Sequence, residues 1–310
     1  MKRTKYKNNK KIIIIFFILF VFILEVYFRV FFHDYFIKNP LPYLESDIEG
    51  VPYLQINFSD FELSKIKSRI IVLGDYISIH RSWENQTTYP EILDLKLNHS
   101  FEIINTGASF YSLPEEMSLL KNRAIDYDPD IIIMSYVFND LDLKNPDNVI
   151  IPLKLKKEIY EFKIITPLSI NYLIRLNVFK NISKLYEDKQ KWMDYYANLH
   201  KDKKLINLLK DSLNELKQIK EEKGIEVIFV IVPIFYDFED ENINYINKVV
   251  YTECLKTELT CVNLLKIFKK YDVMEVKEDD GDIWHQNSLG NEIIATEIYK
   301  VIINKSKFFQ

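Results

Sequence analysis

The sequence predicts an α/β protein of the doubly wound type, and two observations carry that expectation. Five short runs rich in Ile and Val recur along the chain: RIIVL (69–73), FEIIN (101–105), DIIIMSYV (130–137), IEVIFVIV (225–232) and CVNLL (261–265). They are apolar on both alternating faces, as strands covered by helices on both sides must be. Longer amphipathic stretches separate them, at about 77–98, 114–125, 203–223 and 241–257, with a last one at 290–303. Alternation of this kind implies right-handed crossovers and a parallel sheet. We therefore expect three layers, α/β/α, around a five-stranded parallel sheet in order 2-1-3-4-5.

The N-terminal part is read separately. Lys2, Arg3, Lys5, Lys7, Lys10 and Lys11 precede the apolar run IIIIFFILFVFILEVYFRVFF, residues 12–32. At ~1.5 Å rise per residue such a helix spans about 31 Å, enough for a bilayer core. Glu25 and Arg29 interrupt it, but at i,i+4 they pair on one helix face. No small-x-small cleavage site follows, so an uncleaved transmembrane helix is expected rather than a signal peptide. Its basic flank places residues 1–11 in the cytoplasm and the main domain on the outer side of the membrane, periplasmic or extracellular. Residues 33–65, with Pro40, Pro42 and Pro52, read as a stem. The domain proper is 66–310, with a helical insertion at 141–224 whose aromatic residues are expected to pack on the sheet layer. A lid or a surface for a protein partner is the less favoured role for that insertion.

Composition narrows the function. A hydrophobic fraction of 48% supplies a sizeable core, and a net charge of −4 gives no reason to expect nucleic acid. The five histidines are scattered without paired spacing, so no metal site and no cofactor are expected. His80 is placed on the exposed side of the first helix. Cys254 and Cys261 fall on the exported side, where a disulfide is permitted. On one helix they would lie too far apart to bridge, whereas a bridge is possible if Cys261 begins a strand. Two free buried cysteines are the expected state.

Polar clusters follow the strands. Gly74-Asp75-Tyr76 follows the first, NTGASFYS (105–112) the second and Phe138-Asn139-Asp140 the third, while DGDIWHQNSLGNEIIA downstream holds Asp282 and His285. Each alone has an ordinary reading as a helix cap or turn. In a flavodoxin-like sheet, however, ligands bind outside the carboxyl ends of the strands, and all four clusters are brought to that one edge.

The set resembles the SGNH (GDSL) hydrolase family over most of residues 66–305. That family carries Gly-Asp-Ser after its first strand, an Asn-x-Gly-x-x-Gly run after its second, Asn-Asp after its third and Asp-x-x-His near its end. Here TTYPEILDLKLN (87–98) is similar to its first helix and FVIVPIFYD (229–237) to its fourth strand. Glu25 and Arg29 resemble a pair found in the anchors of its membrane-bound, envelope-modifying members. The resemblance implies acyl transfer: a serine attacks an ester carbonyl, His285 takes its proton, Asp282 orients the imidazole, and Asn139 with backbone N–H groups donates to the oxyanion.

Two positions depart from the pattern. Tyr76 occupies the nucleophile position next to Asp75, and Phe110 replaces the second glycine of block two, although Gly107, the first, is kept. A tyrosine hydroxyl stands roughly 6.5 Å from its Cα against about 2.4 Å for serine, so it overshoots the point on which base and oxyanion donors converge. Ser78, two residues on, points away, and Ser109 and Ser112 remain open as substitutes. Two readings follow. Retained Asp282, His285 and Asn139 favour an envelope esterase or acyltransferase with an unusual nucleophile. Tyr76 with Phe110 favours a descendant that has lost ordinary serine-esterase activity and binds an acylated glycan, a lipid or a partner in the old cleft. The sequence reading leans toward the second.

Overall fold

Ile70, Ile71, Val72 and Leu73 have no solvent-exposed surface, and neither do Ile131–Met134 or Val227–Ile231 on the neighbouring strands. Burying each such side chain contributes about 1.5–3 kcal/mol relative to leaving it in water, so the three central strands dominate the core. The computed structural model describes residues 44–45, 53–54, 56, 58–81, 87–109, 111–143 and 189–305. The expected anchor 12–32, its basic flank, most of the stem, Phe110 and residues 144–188 of the insertion lie outside the described residues. Among the described residues no helix is long and apolar enough to cross a membrane.

The sheet has the expected topology. Strand β1 (Ser68–Gly74) pairs in parallel with β2 (Phe101–Asn105) on one side and β3 (Ile131–Tyr136) on the other. Next come β4 (Glu226–Ile231), parallel to β3, and β5 (Thr260–Asn263), parallel to β4. The order is β2-β1-β3-β4-β5. A short antiparallel pair, Leu44–Glu45 with Tyr53–Leu54, precedes it.

Helices follow in chain order: α1 (Tyr76–Ile79), α2 (Tyr89–Lys96), α3 (Leu113–Asn122), α4 (Lys189–Leu199), α5 (Lys203–Lys223), α6 (Glu241–Leu255), α7 (Leu265–Phe268), α8 (Val273–Val276) and α9 (Ser288–Asn304). α2 packs with α9, while α3, α5, α6 and α4 pack in succession. Helix α5 shows why the amphipathic pattern was readable. Leu209, Leu213 and Leu216 bury one stripe, Asp202 caps its start by accepting from the N–H groups of Lys204 and Leu205, and Gly224 ends it at φ 68°.

Three sequence expectations need correction. The stretch 77–98 is two helices rather than one. Pro90 enters the first turn of α2, where its missing N–H is harmless, and Thr88 and Glu91 close a capping box, so the chain restarts a helix there instead of continuing α1. The run 261–265 is strand only to Asn263, and Leu265 already opens α7. Cys254 and Cys261 are not free: they form a disulfide, because α6 ends at Leu255 and Cys261 lies in β5, leaving their Cα atoms 6.1 Å apart.

Candidate functional site

The site is assembled at the carboxyl end of β1 and β3. Gly74 ends β1 at φ 149°, and a side chain there would collide with Ser78 Oγ and with Ser135. Only glycine allows the chain to turn so sharply into α1. Asp75 then caps α1: its Oδ1 accepts from the Ile77 N–H at 3.2 Å. Its Oδ2 accepts from the side-chain amide of Asn139 at 2.8 Å, which ties the block after β1 to the block after β3. Burial raises the Asp75 carboxyl to about 7 despite these hydrogen bonds and the charge of His285.

His285 is carried on the loop before α9. Its Nδ1 lies 2.6 Å from Asp282 Oδ2, and Asp282 Oδ1 accepts from the backbone N–H groups of Trp284 at 2.7 Å and His285 at 3.0 Å. Burial alone would raise the Asp282 carboxyl. The hydrogen bond and charge of His285, with those two N–H groups, outweigh it and hold Asp282 below the ordinary carboxylate value. Gln286 anchors the loop from beneath, donating to Ile77 O at 3.0 Å and to Asn291 Oδ1 at 2.9 Å. This is the arrangement of a general base whose tautomer is fixed by an acid, leaving Nε2 for a substrate proton.

Tyr76 lies edge-on to His285, with ring centroids 5.1 Å apart, and edge-on to Trp284 at 6.3 Å. Its hydroxyl is enclosed and finds no hydrogen-bond partner among the described residues. Burial pushes the phenol well above its usual value, and the carboxylates of Asp75, Asp140 and Asp282 push in the same direction. Tyr76 is thus a neutral phenol packed beside the base. Ser78, on α1 itself, is fully buried.

Gly107 serves a close approach. A Cβ there would stand 2.6 Å from Ser78 Cβ, and its N–H donates to Asn105 Oδ1 at 3.1 Å. The side-chain oxygen of Asn139 has no partner among the described residues. Tyr76, Asp75, Asn139, Asp282 and His285 are therefore brought together, Gly107 borders them behind α1, and Phe110 lies outside the described residues.

Several neighbours escaped the sequence reading. His80 is not on an exposed face: it ends α1, its N–H donating to Tyr76 O at 2.8 Å, and its ring stacks on that of His285 with centroids 4.3 Å apart. Its Nε2 meets Glu278 Oε2 at 3.5 Å. On the other side, α4 brings Trp192 and Tyr196 against Trp284, at 5.5 and 5.6 Å. Below the site, Glu116 of α3 and Asp140 are fully buried, and both Glu116 oxygens and Asp140 Oδ1 find no hydrogen-bond partner among the described residues. Burial, reinforced by the neighbouring acids, raises both carboxyls well above normal. A groove of about 740 Å³ along the outer rim of β2, lined by Asp60, Glu62, Arg81, Glu91 and Glu102, touches none of the site residues. No group of His, Cys, Asp and Glu among the described residues could hold a metal ion.

No protein-family model matches the chain, and no curated protein matches it either. Among solved structures the chain is similar to a lipase/acylhydrolase from Enterococcus faecalis, at 14% identity and a TM-score of 0.47 over 77% of this chain and 96% of that one. It is also similar to an acetylxylan esterase from Geobacillus stearothermophilus, at 15% identity and a TM-score of 0.46 over 77% and 96%. An α/β hydrolase enzyme from the metagenome of Lake Arreo, Spain, shares 12% identity at a TM-score of 0.47 over 77% and 96%.

Proposed function

We propose that this chain is an SGNH-hydrolase-like protein of the cell envelope, held to the membrane by residues 12–32, in which ordinary serine-dependent esterase or acyltransferase chemistry has been lost. The cleft then binds an O-acylated glycan or lipid rather than transferring its acyl group. The observation that carries this reading is the state of Tyr76. A covalent nucleophile needs a hydrogen bond to its base and a route to the reactive anion. The Tyr76 hydroxyl has no partner among the described residues, and its environment disfavours ionisation. The order of the four motif blocks in the sequence supports the ancestry, and the basic flank before residue 12 supports the orientation.

The test uses the full-length chain in detergent micelles with 4-nitrophenyl acetate and a fluorophosphonate probe. We expect no covalent labelling and no turnover that depends on His285. Labelling, or turnover abolished by His285→Ala and by Tyr76→Phe alike, overturns the reading. A cytoplasm-only reporter fused at the C-terminus tests the orientation and should be silent.

One observation favours a second reading. The His285–Asp282 pair keeps the geometry of a working base, at 2.6 Å. In that reading His285 takes a proton from water, which attacks an ester directly. Turnover that His285→Ala removes and Tyr76→Phe leaves intact would establish it.

A further inference from the structure

We propose that His80 is a positioning residue for His285, and that the two stacked imidazoles, each backed by its own carboxylate, work as one unit that keeps its geometry only while at most one ring is positively charged. The inference rests on reading His285 with Asp282 as the site's base. Asp282 holds one edge of the His285 ring through Nδ1, and the Tyr76 ring meets it edge-on. His80 covers its face at 4.3 Å, with the planes 28° apart. His80 is itself fixed twice, by its N–H on Tyr76 O at 2.8 Å and by Glu278 at 3.5 Å from Nε2.

The two carboxylates belong to one folded-back loop. Glu278 N–H donates to His285 O at 3.0 Å, Asn287 N–H donates to Val276 O at 3.0 Å, and Lys277 and Gln286 form an antiparallel bridge. Glu278 therefore cannot move without moving His285. The Glu278 side chain is only 2% exposed and the His80 side chain 14%, so this second pair is built into the interior rather than resting on the surface.

Among the described residues, the charged and titratable groups around the pair come from four elements. From α1 and its cap come Asp75 and Tyr76, and from the turn after β3 come Asn139 and Asp140. The loop itself supplies Glu278 and Asp282, and α4 supplies Tyr196. Two nearby cations are engaged elsewhere: Lys277 reaches Asp280 at 3.5 Å and Arg81 reaches Glu91 at 2.5 Å. The surroundings are acidic and favour one imidazolium, but a second positive charge would face the first across the stack. In keeping with this, burial lowers the His80 imidazole and the charge of His285 lowers it further, against the opposite pull of Glu278.

The experiment is nuclear magnetic resonance of the full-length chain labelled at histidine, where only five histidines need assignment by substitution. The His285 Nδ1–H should appear as a downfield, slowly exchanging signal. His80→Ala should remove it and His80→Phe, which restores a ring on the face, should keep it. His285→Phe should move the His80 titration upward by about one pH unit, as expected for losing a like charge at this range. Glu278→Gln should move it downward while the Nδ1–H signal survives. A His285 signal indifferent to His80→Ala, or a His80 titration indifferent to His285→Phe, overturns the proposal. A signal indifferent to Asp282→Asn would instead show that the reading of the base itself has failed.

Discussion

Asn139 donates to Asp75 across 2.8 Å, and through this one bond the turn after β3 holds the cap of α1 in place. One of the two amide N–H groups of Asn139 is thereby committed to a buried carboxyl.

The bond predicts a pH-dependent penalty. Asn139→Ala leaves Asp75 Oδ2 buried without its donor, which should cost about 1–3 kcal/mol. Burial pushes the Asp75 carboxyl in the folded chain up to about 7, well above an ordinary aspartate. The carboxylate is charged above that value and largely neutral below it, so the lost donor should matter more at pH 8 than at pH 5. Urea denaturation of both proteins at the two pH values checks this, and an equal penalty at both would count against it.

Glu116 makes the opposite kind of test. Its folded value is raised above that of an unfolded glutamate, so the folded chain holds a proton that the unfolded chain releases as pH rises. Its favourable contribution is therefore present in acid and lost as pH climbs from about 4.5 toward the folded value. Glu116→Gln should be close to neutral at pH 4.5 and stabilising by about 1 kcal/mol or more at pH 8. Thermal melts across this range measure the divergence.

Tyr76 separates packing from chemistry. Removing its unpartnered hydroxyl in Tyr76→Phe should stabilise the fold by about 1 kcal/mol, since a buried polar group without a partner is a net cost. Tyr76→Ser instead creates the motif's nucleophile beside His285, and joining it to Phe110→Gly should give more ester hydrolysis than either change alone. The gain should vanish with His285→Ala. A folded double variant no faster than wild type would mean that the cleft can no longer be restored by its nucleophile.

Reduction of the disulfide should destabilise the chain by about 2–3 kcal/mol, the chain-entropy value for so short a loop. The separation is seven residues. Denaturation with and without a reducing agent, compared with the Cys254→Ser, Cys261→Ser variant, checks the magnitude and assigns it to this bond.

Much of the sheet was legible because β1, β3 and β4 are unbroken apolar runs, and a strand end followed by polar residues marks one edge of a parallel sheet. Asp75 and Asn139 were singled out by that logic, and His285 by the aspartate three residues before it. His80 was not, because its position depends on α1 stopping after Ile79, and no Gly or Pro in 80–88 marks that stop. Glu278 was missed because a bridge between Lys277 and Gln286 folds it back onto His285, a pairing without any local pattern. Glu116 reads as an ordinary acid in the first turn of a helix, and only the packing of α3 turns it inward. The disulfide turned on where α6 ends, and helix boundaries are weakly encoded.

The tether between α6 and β5 has a consequence for how copies of this chain meet one another. β5 is a four-residue strand with a single neighbour among the described residues, and such a strand exposes main-chain groups on which another chain can add itself. Here the disulfide pins that rim to α6, and Lys305 sets a charge against Glu226 and Thr260 at the starts of β4 and β5. Both devices discourage strand addition on this side. The opposite rim, β2, is bordered by the charged groove instead of a covalent bond, and there Glu102, paired with the buried Arg69, sets a charge where another chain would have to add itself.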